Sequence, residues 1–576
     1  MEFTVSGGKD ALVRIENQKE VNGFITFDVA VNYETPTVPD PVKIRFSFPV
    51  LDCYSTWSPS VRFSRQLQPN WRKQVTHSRL ASWMPVHTLV SAKGQNRMTV
   101  ALSDALTPTS IETGVLEETA CFDCAITFFT VQIAAMTEYR ATVRIDLRDI
   151  PYYESIAAVT EWWETDCGYT PAYVPEAAKM PMNSLWYTYH QDLDVEDILQ
   201  ECRLSKALGM DTVIIDDGWQ TDDSNRGYGH CGDWEVAKSK IPDMKQFVHR
   251  IHETGMKVML WYSVPFIGIY SKKYAEFKNM LLDGTGRNDE WWAVDPRYPE
   301  VRQFLIQTYT NALQEWELDG LKLDFIDSFK LQGASLKYDE KRDYQSLEDA
   351  IDRLMTDVTD ALRKIDPEVL IEFRQSYVGP AIRKYGNMLR VCDCPDDAIV
   401  NRLDVVNLRL TSGKTAVHSD MLMWNYGEPV ESAALQLVSA LYSVPQISVK
   451  IAKLNEEHKK MLTHFLAFWR EHRDTLINGT FAADNPESAY SSVRAKKEDE
   501  TIVTVYTNPV IYCNNQTVIA VNGSASRSLI LKNGDGKTYR TVDCMGNLLQ
   551  RGTVCGNLWE IDVPMAGMLF VTEEKH

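Results

Sequence analysis

The first 150 residues hold short runs in which apolar and polar positions alternate: FITFDVAV, KIRFSF, MTVAL, AITFFTVQI and RATVRIDL. A period of two buries one face of a strand and leaves the other in water. Turn residues such as Gly7–Gly8 and Pro36–Pro41 separate some of the runs. The pattern predicts an antiparallel β-sandwich over residues 1–175. The proline- and alanine-rich stretch Pro171–Pro181 reads as a linker.

Strands and helical periods then alternate over residues 176–478. SLWYTYH reads as a strand, and Asp194 as the cap of a helix with apolar positions Val195, Ile198, Leu199, Cys202 and Leu208, stopped by Gly209. TVIID is the next strand. Met244, Phe247, Val248 and Ile251 form a helical stripe ended by Gly255, and KVMLWY follows as a strand. A helix over Glu300–Trp316, ended by Gly320, leads to the strand LKLDFID. A helix over Ser346–Ile365 leads to VLIEF. NMLRVCD, TAVHSDMLMW and Gln446–Ile451 complete the series. Strands alternating with helices over this length predict an α/β fold, a (β/α)8 TIM barrel. An open doubly wound sheet fits less well, because polar and aromatic residues gather at nearly every strand's C-terminal end and not at one switch point. Alternation returns after Asn478 in TIVTVY, TVIAV, SLILK, WEIDV and MLFVT, which predicts a small C-terminal β-sandwich domain over residues 479–576.

A chain of 576 residues exceeds one hydrophobic core. Its net charge of −19 argues against nucleic acid or an anionic membrane as partner and suits a neutral substrate. No basic start followed by an apolar segment is visible, and no apolar run would span a bilayer. The eleven cysteines are scattered and odd in number, which predicts reduced thiols and a cytoplasmic address. Cys121/Cys124 and Cys392/Cys394 lack a second pair or histidines at ligand spacing, so neither a metal nor another cofactor is expected.

Chemistry is expected at the C-terminal strand ends. The first offers Trp186 and Tyr187; the second Asp216, Asp217 and Trp219; the third Trp261; the fourth Lys322, Asp324 and Asp327. The sixth offers Arg390, Asp393, Asp396 and Asp397, and the seventh His418 and Asp420. A loop between the second and third strands adds Asp233 and Trp234. Tryptophan faces stack on sugar C–H faces, and carboxylates accept several hydroxyl donors at once. Two further carboxylates can then cleave a glycosidic bond, one as nucleophile and one as acid/base. Asp324 lies within an apolar strand, where an unpaired carboxylate costs several kcal/mol. Lys322 is expected to hold it ionised, as a nucleophile requires, while Asp393 among other carboxylates is expected to hold its proton more tightly. Plainer readings stay open: Asp216–Asp217 as loop caps, Lys322–Asp324 as a structural ion pair, the tryptophans as core lids, His418 as a core histidine.

Taken together, SLWYTYH, VIIDDGW, GDW at Gly232–Trp234, LWYSVPF, LKLDFID and LRVCDCPDD resemble the retaining α-galactosidases of glycoside hydrolase family 36, in the clan that also holds family 27. The resemblance implies Asp324 as nucleophile in a K-x-D position and Asp393, three residues after Arg390, as acid/base, with Asp396 and Asp397 as rivals. It implies that Asp216 and Asp217 grip sugar hydroxyls, that Lys322 and Arg390 hold hydroxyls and orient carboxylates, and that Trp186, Tyr187 and Trp261 line the pocket. Trp219, Asp233 and Trp234 join the sugar-binding set, and Trp57 of YSTWSP would reach over the site. The implied activity is exo-acting release of terminal α-linked galactose from a small oligosaccharide or glycoside, without a cofactor; a homo-oligomer is left open. EFRQSYVGPAIRKYG stands where many members have a Cys- or Gly-rich segment near the sugar's 2-position. It keeps α-N-acetylgalactosaminidase or a related α-glycosidase as an alternative; a raffinose-synthase-like transglycosylase, which resembles the same family and would use the same two aspartates, is another.

Overall fold

The computed structural model describes residues 1–514 and 517–573. Alternation in the N-terminal third folds into two antiparallel sheets of five and six strands. Val29, Val31, Ile44, Val100, Ile126 and Val143 are fully buried between them. A helix, Tyr152–Thr165, follows the last of these strands. The strand-based reading passes over it, although Tyr152, Ile156, Val159 and Trp163 recur at helical spacing and are buried. The Trp163 indole N–H donates to the Leu102 carbonyl at 2.8 Å, tying the helix to the sandwich.

Eight parallel strands close a barrel in chain order: Met182–Ser184, Thr212–Ile215, Lys257–Ser263, Gly320–Asp324, Leu370–Arg374, Met388–Arg390, Ala416–Leu422 and Val444–Ile447. The helix caps follow local chemistry. The side chains of Asp194, Asp243, Ser346 and Asp397 each accept a backbone N–H from the first turn of the helix that follows.

Four local readings are corrected. SLWYTYH is not one strand: pairing stops at Ser184, Leu185 turns to helical angles, and Trp186–Tyr189 form a helical turn that brings Trp186 over the barrel mouth. Gly320 does not end the preceding helix. That helix, Pro299–Trp316, closes on a left-handed Glu317, and Gly320 opens the fourth strand, where a Cβ would lie 2.4 Å from the Leu370 carbonyl oxygen. The last strand is Val444–Ile447, and Ile451 begins a 3-10 turn. The stretch read as a linker is a plug: Val174, Ala177 and Ala178 pack on Met182, Ile214, Met259, Leu370, Met388 and Ala416 and close the barrel floor. Its prolines keep it from joining the sheet, while its small apolar residues fit the floor.

After the barrel, a seven-stranded and a three-stranded sheet build the C-terminal β region between Thr480 and Thr572. Val505, Val518, Leu529, Leu531, Leu569 and Val571 are buried there.

Candidate active site

Side chains alternate in direction along a strand, so Lys322 and Asp324 project to the same side of the fourth strand, into the barrel mouth. Both border a cavity of about 230 Å3 at the C-terminal strand ends. Trp186, Asp216, Asp217, Trp261, Arg390 and Asp393 line it too, as do Tyr228, Phe325 and Arg374.

Asp324 is the most heavily bonded group in the cavity. Its Oδ1 accepts from Arg374 Nε at 2.7 Å, from the Tyr377 hydroxyl at 2.7 Å and from the Phe325 backbone N–H at 2.7 Å. That N–H belongs to the peptide directly after Asp324, beyond which Phe325 is left-handed, with φ 67°, and turns the chain out of the strand. Oδ2 accepts a single longer bond from the Trp261 indole at 3.1 Å. Burial pushes the carboxyl's pKa up, but Arg374, then Lys322, and the bonds from Tyr377 and Trp261 outweigh it and hold the group well below the usual carboxylate range. The contact partner differs from the sequence expectation: the Lys322 ammonium sits on Asp216 Oδ2 at 2.6 Å, and Arg374 makes the direct ion pair with Asp324.

Asp217 is held by neutral amides, from Gln191 to Oδ2 and from Gln220 to Oδ1, both at 2.6 Å. Burial outweighs them and lifts its pKa to about 6. Asp393 follows the sixth strand and is half exposed toward the mouth. Arg390 Nη1 meets Asp393 Oδ1 at 2.8 Å and Asp420 Oδ1 at 2.7 Å. Burial raises the Asp393 pKa, but Arg390, Lys322 and Arg374 outweigh it and the net shift is downward. The expectation that neighbouring carboxylates make Asp393 the tighter proton holder is therefore corrected: the guanidinium between them decides. Asp420, fully buried on the same guanidinium, is the member pushed up to about 6, by burial first and the Asp393 charge second. The Tyr187 hydroxyl donates to Asp420 Oδ2 at 3.0 Å.

Several other expected site residues lie off the cavity wall. Trp219 is fully buried, donates to the Trp261 carbonyl at 2.9 Å and stacks on Trp234 at 6.0 Å, so this pair packs behind Trp261. Asp233 accepts the backbone N–H groups of Lys272 and Lys273 at 2.9 and 3.0 Å and caps a short helix. Trp57 does not reach over the site; it is buried, and its indole donates to the Tyr490 hydroxyl at 3.0 Å. Tyr187 reaches Asp420 and does not line the wall. Asp397 caps its helix through Val400 N, and Asp396 is bonded to Gln436. His418 is a core histidine, bonded to the Ala178 carbonyl at 2.8 Å and pushed by burial down to about 4.

Four residues of the site were passed over. Arg374 ends the fifth strand, the same strand-end position that marks the candidates on neighbouring strands, so the sequence carries a signal for it. Tyr377 lies three residues on. Tyr228, stacked on Trp261 at 6.0 Å, comes from an irregular loop with no periodic signal, and Phe325 adjoins Asp324 within a strand-like run.

A family model described as Melibiase matches residues 172–479. Among curated proteins, α-galactosidase AgaA of Geobacillus stearothermophilus is 23% identical over 342 residues, covering 55% of this chain and 45% of AgaA. α-Galactosidase Mel36A of Lactobacillus acidophilus is 27% identical over 146 residues, 24% of this chain and 20% of Mel36A. The matches span less than half the length of these relatives. Among solved structures, an α-galactosidase from Lactobacillus brevis superposes with a TM-score of 0.68 at 14% identity, over 100% of this chain and 86% of that one. A variant of AgaA in complex with raffinose gives 0.65 at 15% identity, over 99% and 86%. At these identities the likeness establishes the architecture: a barrel flanked by two β regions.

Proposed function

The chain belongs to the Melibiase family, and from that premise we propose that it is a retaining exo-α-glycosidase, an α-galactosidase that releases terminal α-linked galactose from small oligosaccharides. One observation carries the reading. Asp324 and Asp393, from the ends of different strands, open into one small cavity whose remaining wall is carboxylates, cations and aromatic faces. A pocket of about 230 Å3 suits one sugar ring at a chain end and not a polysaccharide groove. The AgaA variant holds raffinose, a small α-galactoside of the class proposed here.

Asp324 is the nucleophile. Three donors saturate Oδ1, so Oδ2, with one long bond, is the oxygen placed to attack. As the Oδ2–C1 bond forms, the glycosidic C1–O bond breaks and Asp393 gives its proton to the leaving oxygen. Asp393 then takes a proton from water, whose oxygen attacks C1 and releases Asp324. The charges support this cycle. Burial and the Asp324 charge push the Asp393 pKa up against Arg390, Lys322 and Arg374, which hold it below its ordinary value in the open pocket; a bound sugar that excludes water adds to the upward push and favours the acid form. Once Asp324 becomes a neutral ester, that push is gone, and Asp393 becomes the anion that a base must be. Asp216 and Asp217 accept sugar hydroxyls, Lys322 and Arg390 orient the carboxylates, and Trp186, Trp261 and Tyr228 present faces to the ring.

Among the described residues no helix is long and apolar enough to cross a membrane. The eleven cysteines are free thiols, which supports the cytoplasmic address we assign. A panel of nitrophenyl α-glycosides (galactoside, N-acetylgalactosaminide, glucoside and arabinoside) tests the activity. The galactoside is expected to be cleaved fastest, with the α-anomer as first product by NMR. A folded protein that cleaves none of them refutes the assignment. Sugar transferred to an added acceptor in excess of free sugar released identifies a transglycosylase instead.

A further inference from the structure

The N-terminal sandwich sends one tight turn into the barrel mouth. Arg79 and Ser82 exchange backbone hydrogen bonds at 2.9 Å in both directions, and Leu80, Ala81 and Met84 are buried in the core shared with the barrel. The turn touches two barrel loops. Arg79 Nη1 donates to the Phe329 carbonyl at 2.9 Å and Nη2 to the Asp327 carbonyl at 3.1 Å, on the segment that leaves Asp324. The Trp83 backbone N–H donates to the Ser376 carbonyl at 2.7 Å, and the Ser82 hydroxyl meets Ser376 Oγ at 3.3 Å, on the segment that carries Arg374 and Tyr377. Ser376 Oγ in turn donates to Asp327 Oδ2 at 3.4 Å, closing the circuit between the two loops.

We propose that the turn Arg79–Trp83 is a positioning element of the active site. It locks the loop after the fourth strand to the loop after the fifth, and so sets Asp324 against the two side chains that saturate its Oδ1. The inference rests on the reading of Asp324 as nucleophile. Each loop is irregular backbone beyond its strand and needs an external partner for its carbonyls. A planar guanidinium that bridges two carbonyls supplies a fixed geometry that a single hydrogen bond does not. The sandwich therefore contributes to catalysis without touching the sugar. Displacement of a reacting group by about 1 Å costs on the order of 100-fold in rate, so modest slack in this turn is visible in kinetics.

The test is the single-turnover rate constant at saturating enzyme, which does not depend on the fraction of active molecules. Arg79→Ala is expected to lower it about 10- to 100-fold with KM unchanged, and Arg79→Lys to recover part of the loss. Gly379→Ala attacks the same contact from the other side, because a Cβ there would lie 2.6 Å from the Trp83 carbonyl oxygen; it is expected to slow the same step, and it decides the matter if Arg79→Ala does not fold. Val143→Ala weakens the sandwich core away from the turn and is expected to turn over at the wild-type rate. Wild-type rates in both Arg79→Ala and Gly379→Ala overturn the proposal, as does equal slowing by Val143→Ala. An Asp324→Asn protein measured alongside separates the premises: if it stays active, the nucleophile reading falls as well; if it is inactive, only the positioning role is at stake.

Discussion

Replacing Arg374 by methionine, close in length but uncharged, probes how a carboxylate survives ionised in this barrel. The guanidinium Nε is 2.7 Å from Asp324 Oδ1, and both side chains are largely buried. With charge centres about 4 Å apart and an effective dielectric of about 20, the pair is worth roughly 4 kcal/mol. Divided by 1.36 kcal/mol per unit, this is an upward shift of about 3 units in the Asp324 pKa when the cation is removed. The sign follows from the proposed mechanism: Asp324 must be ionised to attack, so activity is lost as pH falls through its pKa. In the wild type Arg374 and Lys322 place that loss well below the usual carboxylate range; in Arg374→Met the acid limb of kcat/KM is expected to move up by roughly 3 units. The same linkage acts on stability. A depressed carboxylate pKa stabilises the fold above its unfolded value, and that contribution disappears as pH falls through the folded value. The variant also leaves a buried charge unpaired, at a cost of about 3–5 kcal/mol, so its profile is taken where circular dichroism shows it folded. An acid limb unchanged between the two proteins would refute the claim that Arg374 keeps Asp324 ionised, whatever happened to the absolute rate.

Further predictions concern neighbouring groups. Asp393→Asn is expected to lose on the order of 100-fold or more with natural oligosaccharides but less in the first step with a nitrophenyl leaving group, which needs little protonation; azide is expected to restore turnover as a glycosyl azide, checked by product NMR. The Asp393 charge helps burial push the Asp420 carboxyl up to about 6, so in Asp393→Asn the Asp420 carboxyl is expected to titrate at lower pH, read by NMR of a labelled carboxyl carbon. Trp163→Ala empties a fully buried site at the sandwich–barrel joint and is expected to cost about 3–5 kcal/mol in denaturant unfolding. Activity is expected to persist in excess chelator, because the proposed two-carboxylate reaction needs no metal.

How far the site was legible depended on where each residue lies along its strand. Asp216, Asp217, Trp261, Lys322, Asp324, Arg390 and Asp393 stand at or just after the ends of periodic runs, and the cavity collects all of them. Arg374 stands at such an end too and was passed over. Trp219 and Trp234 illustrate the converse. A tryptophan in a conspicuous motif can serve as backing to another tryptophan, and only the 2.9 Å bond to the Trp261 carbonyl shows that Trp219 does so. Local pattern alone does not separate Asp393 from Asp396 and Asp397, since three acids within five residues share one environment; along the chain only the family resemblance favours Asp393. In space the first meets Arg390 while the other two meet Gln436 and a helix N-terminus.

The chain's own periodicity determined the barrel, because a strand or helix must bury one face and its repeat records which. It also placed Asp324 in an apolar strand, a position that demands a partner. The identity of that partner belonged to tertiary structure. Lys322, two residues away, was the natural candidate, yet barrel closure carries it to Asp216 and brings Arg374 and Tyr377 from the fifth strand instead. Likewise the proline-rich stretch read as a linker becomes the barrel floor, and a turn of the sandwich spans the loops around Asp324. Such contacts join segments tens to hundreds of residues apart, and no local pattern encodes them. They are decided by which surfaces meet when the barrel shuts, and a carboxylate's charge state follows from that meeting.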